Sequence, residues 1–433
     1  MPRWSGPGGR GIGTRESSAP TDRRPRCRRF RARGVKPDQR EGSGVTVKAI
    51  HRVLGAAILA AAFAPVSATQ ARAPAPPVEL AGIPVALMVD SGSGQVLYAR
   101  QPDLSFVPAS MTKVMTAYVA FEEMAAGRLS PARVFTISPE TARQWGGRGS
   151  GLRLAAGTRI SANMLLHAIT TVSANDASAA LAQGYSGSIA GWAALMNAEA
   201  RRLGMTHSHF ATPNGWPDNG ATYVSARDLA TLGKALIARH PDRYRAYFGQ
   251  KRLTWNGVTQ ENHDPTVGVV PGADGIKTGF TREAGFNFLG SARRDDRRLF
   301  MVIAGAKSEG QRAAAARAFL EWGFAQWRAR PLFAAGAHIA DARVQDGAAA
   351  HVPLIAAAPI AAAVPATGQA RLALKLIYTG PLVAPVAKGT KVADLEIRVD
   401  DLPPARVALL AGASVARAGP VERLLNGLRG LFA

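Results

Sequence analysis

The sequence predicts an α+β protein: an antiparallel sheet packed by helices over residues 80–330, a smaller β domain over 331–414, and a terminal amphipathic helix. Three observations predict it. Strand patterns stand at both ends of the 80–330 stretch around a helical middle, which suits one antiparallel sheet covered by helices. From about residue 331 the texture turns Ala/Pro-rich and then alternates with a period of two. After Pro420 the apolar residues recur at helical spacing.

The elements follow in order. Val85–Asp90 and Gln95–Ala99, separated by Ser91-Gly92-Ser93-Gly94, read as a hairpin. Met111–Met124 and Asn163–Gln183 read as helices, the second with Leu165, Leu166, Ile169 and Val172 on one face. Phe286–Ser291 and Leu299–Ala306 read as strands, and Gln311–Trp327 as an Ala-rich helix closing the domain. Beyond an Ala/Pro-rich stretch to Gln369, the segments Arg371–Tyr378, Lys391–Val399 and Arg406–Leu410 alternate like strands. Finally Val421, Leu424, Leu425, Leu428, Leu431 and Phe432 form one stripe, with Arg423 and Arg429 off it. Such a helix either docks on the protein's own core or lies in a membrane interface, and the pattern alone favours neither.

The chain has 433 residues, 47% of them apolar, with 53 Lys and Arg against 30 Asp and Glu, a formal net charge of +23. That composition excludes a wholly disordered chain. A single cysteine, Cys27, excludes an internal disulfide framework and any multi-thiolate metal site. The charge invites a nucleic-acid partner, but its location argues against one. Residues 1–52 hold 14 Lys and Arg against 4 Asp and Glu, nearly half of the excess. Residues 1–44 are a basic segment expected to be disordered on its own. Residues 45–73 read as a secretory signal peptide: Lys48, His51 and Arg52 precede the apolar run Val53–Ala64, followed by small-residue exits at Ala68 and Ala73. Signal peptides open a chain, so translation is expected to start near Val45 or Val47. The exported remainder, cut after Ala68, carries no cysteine and needs no oxidation to fold.

Three short motifs carry chemistry. Ser110 and Lys113 stand three apart at a helix start, on one face, so the amine can reach the serine Oγ. A serine hydroxyl is a weak nucleophile until a base takes its proton, and a lysine of lowered pKa can do so. In Ser173-Ala174-Asn175 a hydroxyl can relay a proton and an amide can orient a substrate amide. Lys277-Thr278-Gly279 on a strand edge can bind an extended peptide and meet its carboxylate. Each motif alone is weak, and by default S-x-x-K is a solvated helix start. Together, in this order, they form the S-x-x-K, S-x-N, K-T-G set of penicillin-binding proteins and serine β-lactamases, with Ala174 where Ser-Asp-Asn has Asp.

The neighbourhood narrows the choice. Pro108–Met115 (PASMTKVM), Ser173–Ala177 (SANDA), Gly204-Met205 with Phe210, Ser225–Leu229 (SARDL) and Asp274–Gly279 with Ala284-Gly285-Phe286-Asn287 closely resemble the serine-type D-alanyl-D-alanine carboxypeptidases. These are low-molecular-mass penicillin-binding proteins that trim peptidoglycan stem peptides. The resemblance implies their transpeptidase fold and no cofactor. It implies that Ser110 is the acylated nucleophile and Lys113 its base, with Ser173 and Asn175 as proton relay and substrate-orienting pair. Lys277, Thr278 and Gly279 would tune the site and hold the acyl peptide, and the backbone N–H groups of Ser110 and Phe280 would form the oxyanion hole. Arg312, by local context, would hold the terminal carboxylate. The implied partners are D-Ala-D-Ala stem peptides, β-lactams as covalent inhibitors, and the outer face of the cytoplasmic membrane through residues 415–433. The implied location is periplasmic, and no nucleic acid is expected. Two positions depart from many relatives: Phe280 stands where they often carry His, and Asn214-Gly215-Trp216 where they read His-Gly-Leu.

Rival readings are weaker. A class A-like β-lactamase needs a dedicated glutamate, and neither Glu199 nor Glu261 lies in a Glu-x-x-x-Asn loop. A catalytically silent peptidoglycan-binding scaffold would not need the intact Ser110–Lys113 pair. His207-x-His209 lacks a third metal ligand at suitable spacing, and Tyr98, Trp192, Trp216 and Trp255 are too scattered for a base-stacking platform. The glycines at 146, 147, 149 and 151 make no phosphate loop without G-K-[ST], but lie where they can rim a site. Peptide mapping of the cellular protein is expected to recover nothing from residues 2–40; finding those peptides would place the start upstream.

Overall fold

The structure is a computed structural model that describes residues 73–420; the basic segment, the signal peptide up to residue 72 and the stripe from Val421 onward lie outside the described residues. β1 (Val85–Asp90) and β2 (Val96–Arg100) form the expected hairpin. A 3-10 turn, Ala109–Met111, leads directly into α1 (Thr112–Ala125). A small ribbon of β3 (Val134–Thr136) and β4 (Arg159–Ser161) brackets α2 (Pro139–Trp145). The helical layer continues with α3 (Ala162–Thr171), α4 (Asn175–Ser186), α5 (Ile189–Arg202), α6 (Ala226–Arg239) and α7 (Pro241–Tyr247). Serines set three of these starts: Ser161, Ser188 and Ser225 each accept a hydrogen bond from an otherwise unpaired first-turn N–H.

A second hairpin pairs β5 (Arg252–Trp255) with β6 (Val258–Glu261) through Asn256-Gly257, whose φ values of 47° and 76° suit a type I′ turn. β7 (Ala273–Thr281), β8 (Gly285–Arg294) and β9 (Arg297–Ala306) then complete a five-stranded antiparallel sheet in the order β2-β1-β9-β8-β7. α8 (Glu309–Ala325) covers its other face. The period-two pattern of β9 shows why the sheet is sandwiched. Phe300, Val302 and Ala304 join the core under the helical layer, whereas Leu299, Met301 and Ile303 pack towards Phe319 and Leu320 of α8. This is the α+β architecture expected, with β7 left as an edge.

Two helices differ from expectation. Asn163–Gln183 is not continuous: the chain breaks at Val172-Ser173-Ala174, where Ser173 adopts a left-handed φ of 61° and Asn175 N–H turns to the Ser150 carbonyl. The closing helix ends at Ala325, and Trp327 already opens the next strand.

That strand, β10 (Trp327–Phe333), crosses the expected boundary at residue 330. The β domain continues with β11 (His338–Gln345), β12 (His351–Ala356), β13 (Ile360–Pro365), β14 (Leu372–Ile377), β15 (Leu382–Val383), β16 (Lys391–Val399) and β17 (Ala405–Ala411). β10 pairs with β13, and the other six form a sheet in the order β14-β16-β17-β12-β11-β15. β11, β12 and β13 were invisible to pattern because alanine is a poor strand signal; here packing against Leu395, Ile397 and Leu409 decides their conformation. Val415 and Arg417 bridge to Val386 and Gly347, so residues 415–417 belong to this domain and not to a terminal helix. The domains are tied by a two-way bond between the Gln95 amide and the Ala363 backbone, at 3.1 and 2.5 Å.

Candidate active site

Ser110 is the middle residue of the 3-10 turn, and Lys113 lies in the first turn of α1, so the chain brings them to one face as the i, i+3 spacing requires. Lys113 is 1% exposed. Its Nζ lies 2.9 Å from Ser110 Oγ, 2.8 Å from Asn175 Oδ1 and 2.7 Å from the Asn214 carbonyl oxygen. Burial, reinforced by the nearby Lys277 charge, pushes its pKa well below the ordinary lysine value. A neutral amine has two N–H donors and one lone pair. The two carbonyl oxygens take the hydrogens, and the lone pair is left for the Ser110 O–H.

The surroundings fix this geometry from three sides. Thr116 Oγ1 donates to the Pro213 carbonyl and Lys113 to that of Asn214, so the 213–216 loop is held along α1. Gly215 has to be glycine: its φ is 72°, and a Cβ there would stand 1.9 Å from the Ala109 oxygen. Asn175 is locked at both ends, accepting from Lys113 and donating 2.9 Å to the Arg148 carbonyl. Asn287, fully buried, donates to Val107 O and accepts from Gly305 N–H, anchoring the segment that leads to Ser110. Ala109 itself holds a left-handed φ of 50°, a strained conformation kept by these contacts.

The groups open onto a cleft of about 460 Å³ lined by Ser110, Ser173, Asn175, Thr278, Phe280 and Arg312, among others. Lys277, Thr278 and Gly279 lie on β7, whose far edge is unpaired. Burial first, and then the Arg312 charge, lower the Lys277 pKa to about 7. Arg312, in α8, is 3% exposed and pairs with Glu309, while its Nε has no partner among the described residues. His263 lines the same cleft and is lowered by burial, then by Lys277. Phe280 is half exposed and stacks on Phe286 with ring centroids 4.1 Å apart. Arg282, Arg312 and His263 thus line a cleft whose only lining carboxylate among the described residues is Glu309.

Residues 71–308 match the D-alanyl-D-alanine carboxypeptidase family, and residues 327–417 match the C-terminal domain of penicillin-binding protein 5. The chain belongs to the D-alanyl-D-alanine carboxypeptidase family. It is 33% identical over 364 residues to the D-alanyl-D-alanine carboxypeptidase DacD of Salmonella typhimurium, covering 81% of this chain and 90% of that one. A crystal structure of penicillin-binding protein 5 from Haemophilus influenzae matches with a TM-score of 0.67 at 30% identity, covering 77% of this chain and 98% of that one. The cefotaxime-bound penicillin-binding protein D2 of Listeria monocytogenes matches at 28% identity and a TM-score of 0.51, covering 56% of this chain and 97% of that one.

All nine residues singled out from the sequence of this family member converge on the cleft or its wall. One expectation changes in meaning. Gly279 was expected to help hold the acyl peptide, yet a Cβ there would lie 2.4 Å from Pro108 O and 3.3 Å from Met111. The glycine admits the protein's own Ser110 turn. Sequence reasoning missed His263, gave Asp176 and Asn287 no role of their own, and named Asn214 only as a departure from relatives. Asn214 acts here through its carbonyl, which no residue type advertises, so the departure from His leaves that contact in place. Asp176 holds the Gly-rich rim by accepting from Leu152 and Leu154 N–H; its place after S-x-N was the available signal. Gly279→Ala is expected to slow covalent labelling of Ser110 by a fluorescent penicillin by about 10²-fold, the cost of moving a reacting group by about 1 Å, with circular dichroism unchanged.

Proposed function

We propose that the protein is a serine-type D-Ala-D-Ala carboxypeptidase that removes the terminal D-Ala from peptidoglycan stem pentapeptides through an acyl-enzyme on Ser110. The observation that carries this is the buried Lys113 amine, held against Ser110 Oγ with its other two hydrogen-bonding directions committed to carbonyls. The stem peptide adds to the free edge of β7 as an extra strand. Its terminal carboxylate sits with Thr278, Lys277, Arg312 and His263, the part of the cleft richest in positive charge.

Lys113 takes the Ser110 proton as Oγ attacks the penultimate D-Ala carbonyl. The oxyanion that forms is held by the N–H groups of Ser110 and Phe280; Ser110 N–H lies in a first turn, where such groups lack helical partners. Ser173 passes the proton to the leaving D-Ala amine. Water then attacks the ester, with Lys113 again as base. A β-lactam enters as a mimic of acyl-D-Ala-D-Ala and acylates Ser110. Glu309, occupied by Arg312, is not placed to activate a deacylating water, which disfavours a β-lactamase. Export to the periplasm, and attachment to the membrane through the stripe after Pro420, complete the proposed setting.

The purified chain from Thr69 onward is expected to release D-Ala from a stem pentapeptide, and Ser110→Ala to lose both this release and penicillin labelling. D-Ala release that persists in Ser110→Ala would refute the assignment. A second outcome follows from charge. Lys277 is protonated below its pKa of about 7 and attracts the substrate carboxylate; above it the attraction fades. KM is therefore expected to rise as pH increases through about 7, and Lys277→Met to raise KM at low pH and flatten that rise.

A further inference from the structure

The loop between β6 and β7, residues 262–272, holds a carboxylate that no catalytic step uses. Asp264 follows His263 of the cleft, and its Oδ1 accepts three hydrogen bonds: 2.7 Å from Thr266 N–H, 2.7 Å from Thr266 Oγ1 and 3.1 Å from Val267 N–H. Its Oδ2 is sealed from solvent and has no hydrogen-bond partner among the described residues. The loop is not free to swing that oxygen away. Thr266 is fully buried, the Asn262 amide donates 2.7 Å to the Gln250 carbonyl, and Arg317 Nε of α8 donates 2.8 Å to the Pro265 carbonyl. An unpaired buried carboxylate oxygen costs stability, and natural sequences keep such a cost where function uses it.

Its charged neighbours are poorly paired as well. Among the described residues, Lys277, 3% exposed, makes one hydrogen bond from Nζ, to the Thr278 carbonyl, and Arg312 Nε makes none. Arg312 keeps its proton at any ordinary pH, so the repulsion between the two cations falls on Lys277. The charged and titratable groups at this end of the cleft are Lys113 of α1, Arg312 and Glu309 of α8, and His263 and Asp264 of the loop. Of these carboxylates, Glu309 has a side chain 67% exposed, where water screens it, whereas Asp264 Oδ2 is shielded. We infer that Asp264 is a positioning residue for substrate recognition: its fixed negative charge keeps Lys277 protonated beside Arg312, ready for the terminal carboxylate of the stem peptide. This rests on the function proposed above. Burial and then Arg312 lower the Lys277 pKa, and Asp264 opposes them. Burial in turn raises the Asp264 pKa, and the Thr266 and Val267 bonds and the Lys277 charge oppose that rise. The carboxylate touches no reacting atom; it sets the charge of the lysine that meets the substrate.

Asp264→Asn is the test, because the amide oxygen takes over the Oδ1 bonds while the charge disappears. KM for a stem pentapeptide, kcat and the unfolding temperature are followed from about pH 5 to about pH 9. Removing the negative charge lowers the Lys277 pKa further, so the rise of KM through about 7 is expected to move down by about one pH unit. KM at about pH 7 then increases about fivefold, the two enzymes converge near about pH 5, and kcat stays within about twofold. At about pH 8, where Lys277 is mostly neutral, loss of the unpaired carboxylate oxygen leaves the unfolding temperature equal or higher. Thr266→Val removes one hydrogen bond to Asp264 and keeps the charge, so its KM profile should stay within about 0.3 pH units of wild type. An unmoved profile in Asp264→Asn, a uniform loss at every pH, an unfolded Asp264→Asn chain or an equal displacement in Thr266→Val would overturn the inference. A wild-type enzyme that releases no D-Ala would overturn the proposed function itself.

Discussion

A lysine with 1% of its surface exposed and no carboxylate within hydrogen-bonding reach cannot keep its charge at ordinary cost, and that constraint organises the catalytic half of the molecule. The amine is held neutral by desolvation and by the neighbouring Lys277, which is itself depressed by burial and by Arg312. Each cation makes the next harder to protonate, and Asp264, Asp176 and Glu309 offset that only in part. An incoming carboxylate is the missing partner. It also counteracts the depression of Lys277, so substrate binding and the protonation of that lysine favour each other.

The second constraint is backbone proximity. Ala109 and Ser173 both sit in left-handed conformations that side chains rarely hold, at a typical cost of about 1–3 kcal/mol each. Around them, glycines let other segments of the chain press close. Gly215 meets the Ala109 carbonyl, Gly279 meets that of Pro108, and Gly149 lies against the Asn175 amide. The Ser110 turn is therefore flanked by main chain at Gly215 and Gly279. Its position depends less on any one side chain than on the absence of several.

This explains what the sequence could and could not show. Ser110, Lys113, Ser173, Asn175 and Lys277-Thr278-Gly279 were legible because each does its work with a side chain, or an obligatory glycine, in a fixed local pattern. The sheet and α1 were legible because burial of both sheet faces writes long apolar runs into β9 and α1. The break at Ser173 was not, since the residues around it read as one apolar stripe; the left-handed Ser173, the Ala174 N–H bond back to Ala168 O and the Ser150–Asn175 bond end the helix there. The alanine-rich strands β11 to β13 were hidden for a related reason: their conformation comes from partners far along the chain. His263 follows β6 with no motif around it, and only folding brings it beside Lys277.

The proposed peptide site needs β7 unpaired along its outer edge, and an open edge is also where a second copy of a sheet protein can add itself. Here the rim at Gly149-Ser150, Trp216-Pro217 and the Ser173–Asn175 break stands across the cleft from that edge. Those walls leave the edge inside a cleft of about 460 Å³ rather than on an open face. The walls that shape the reaction therefore also protect the molecule from self-association, and widening the cleft for a bulkier substrate would trade solubility for scope.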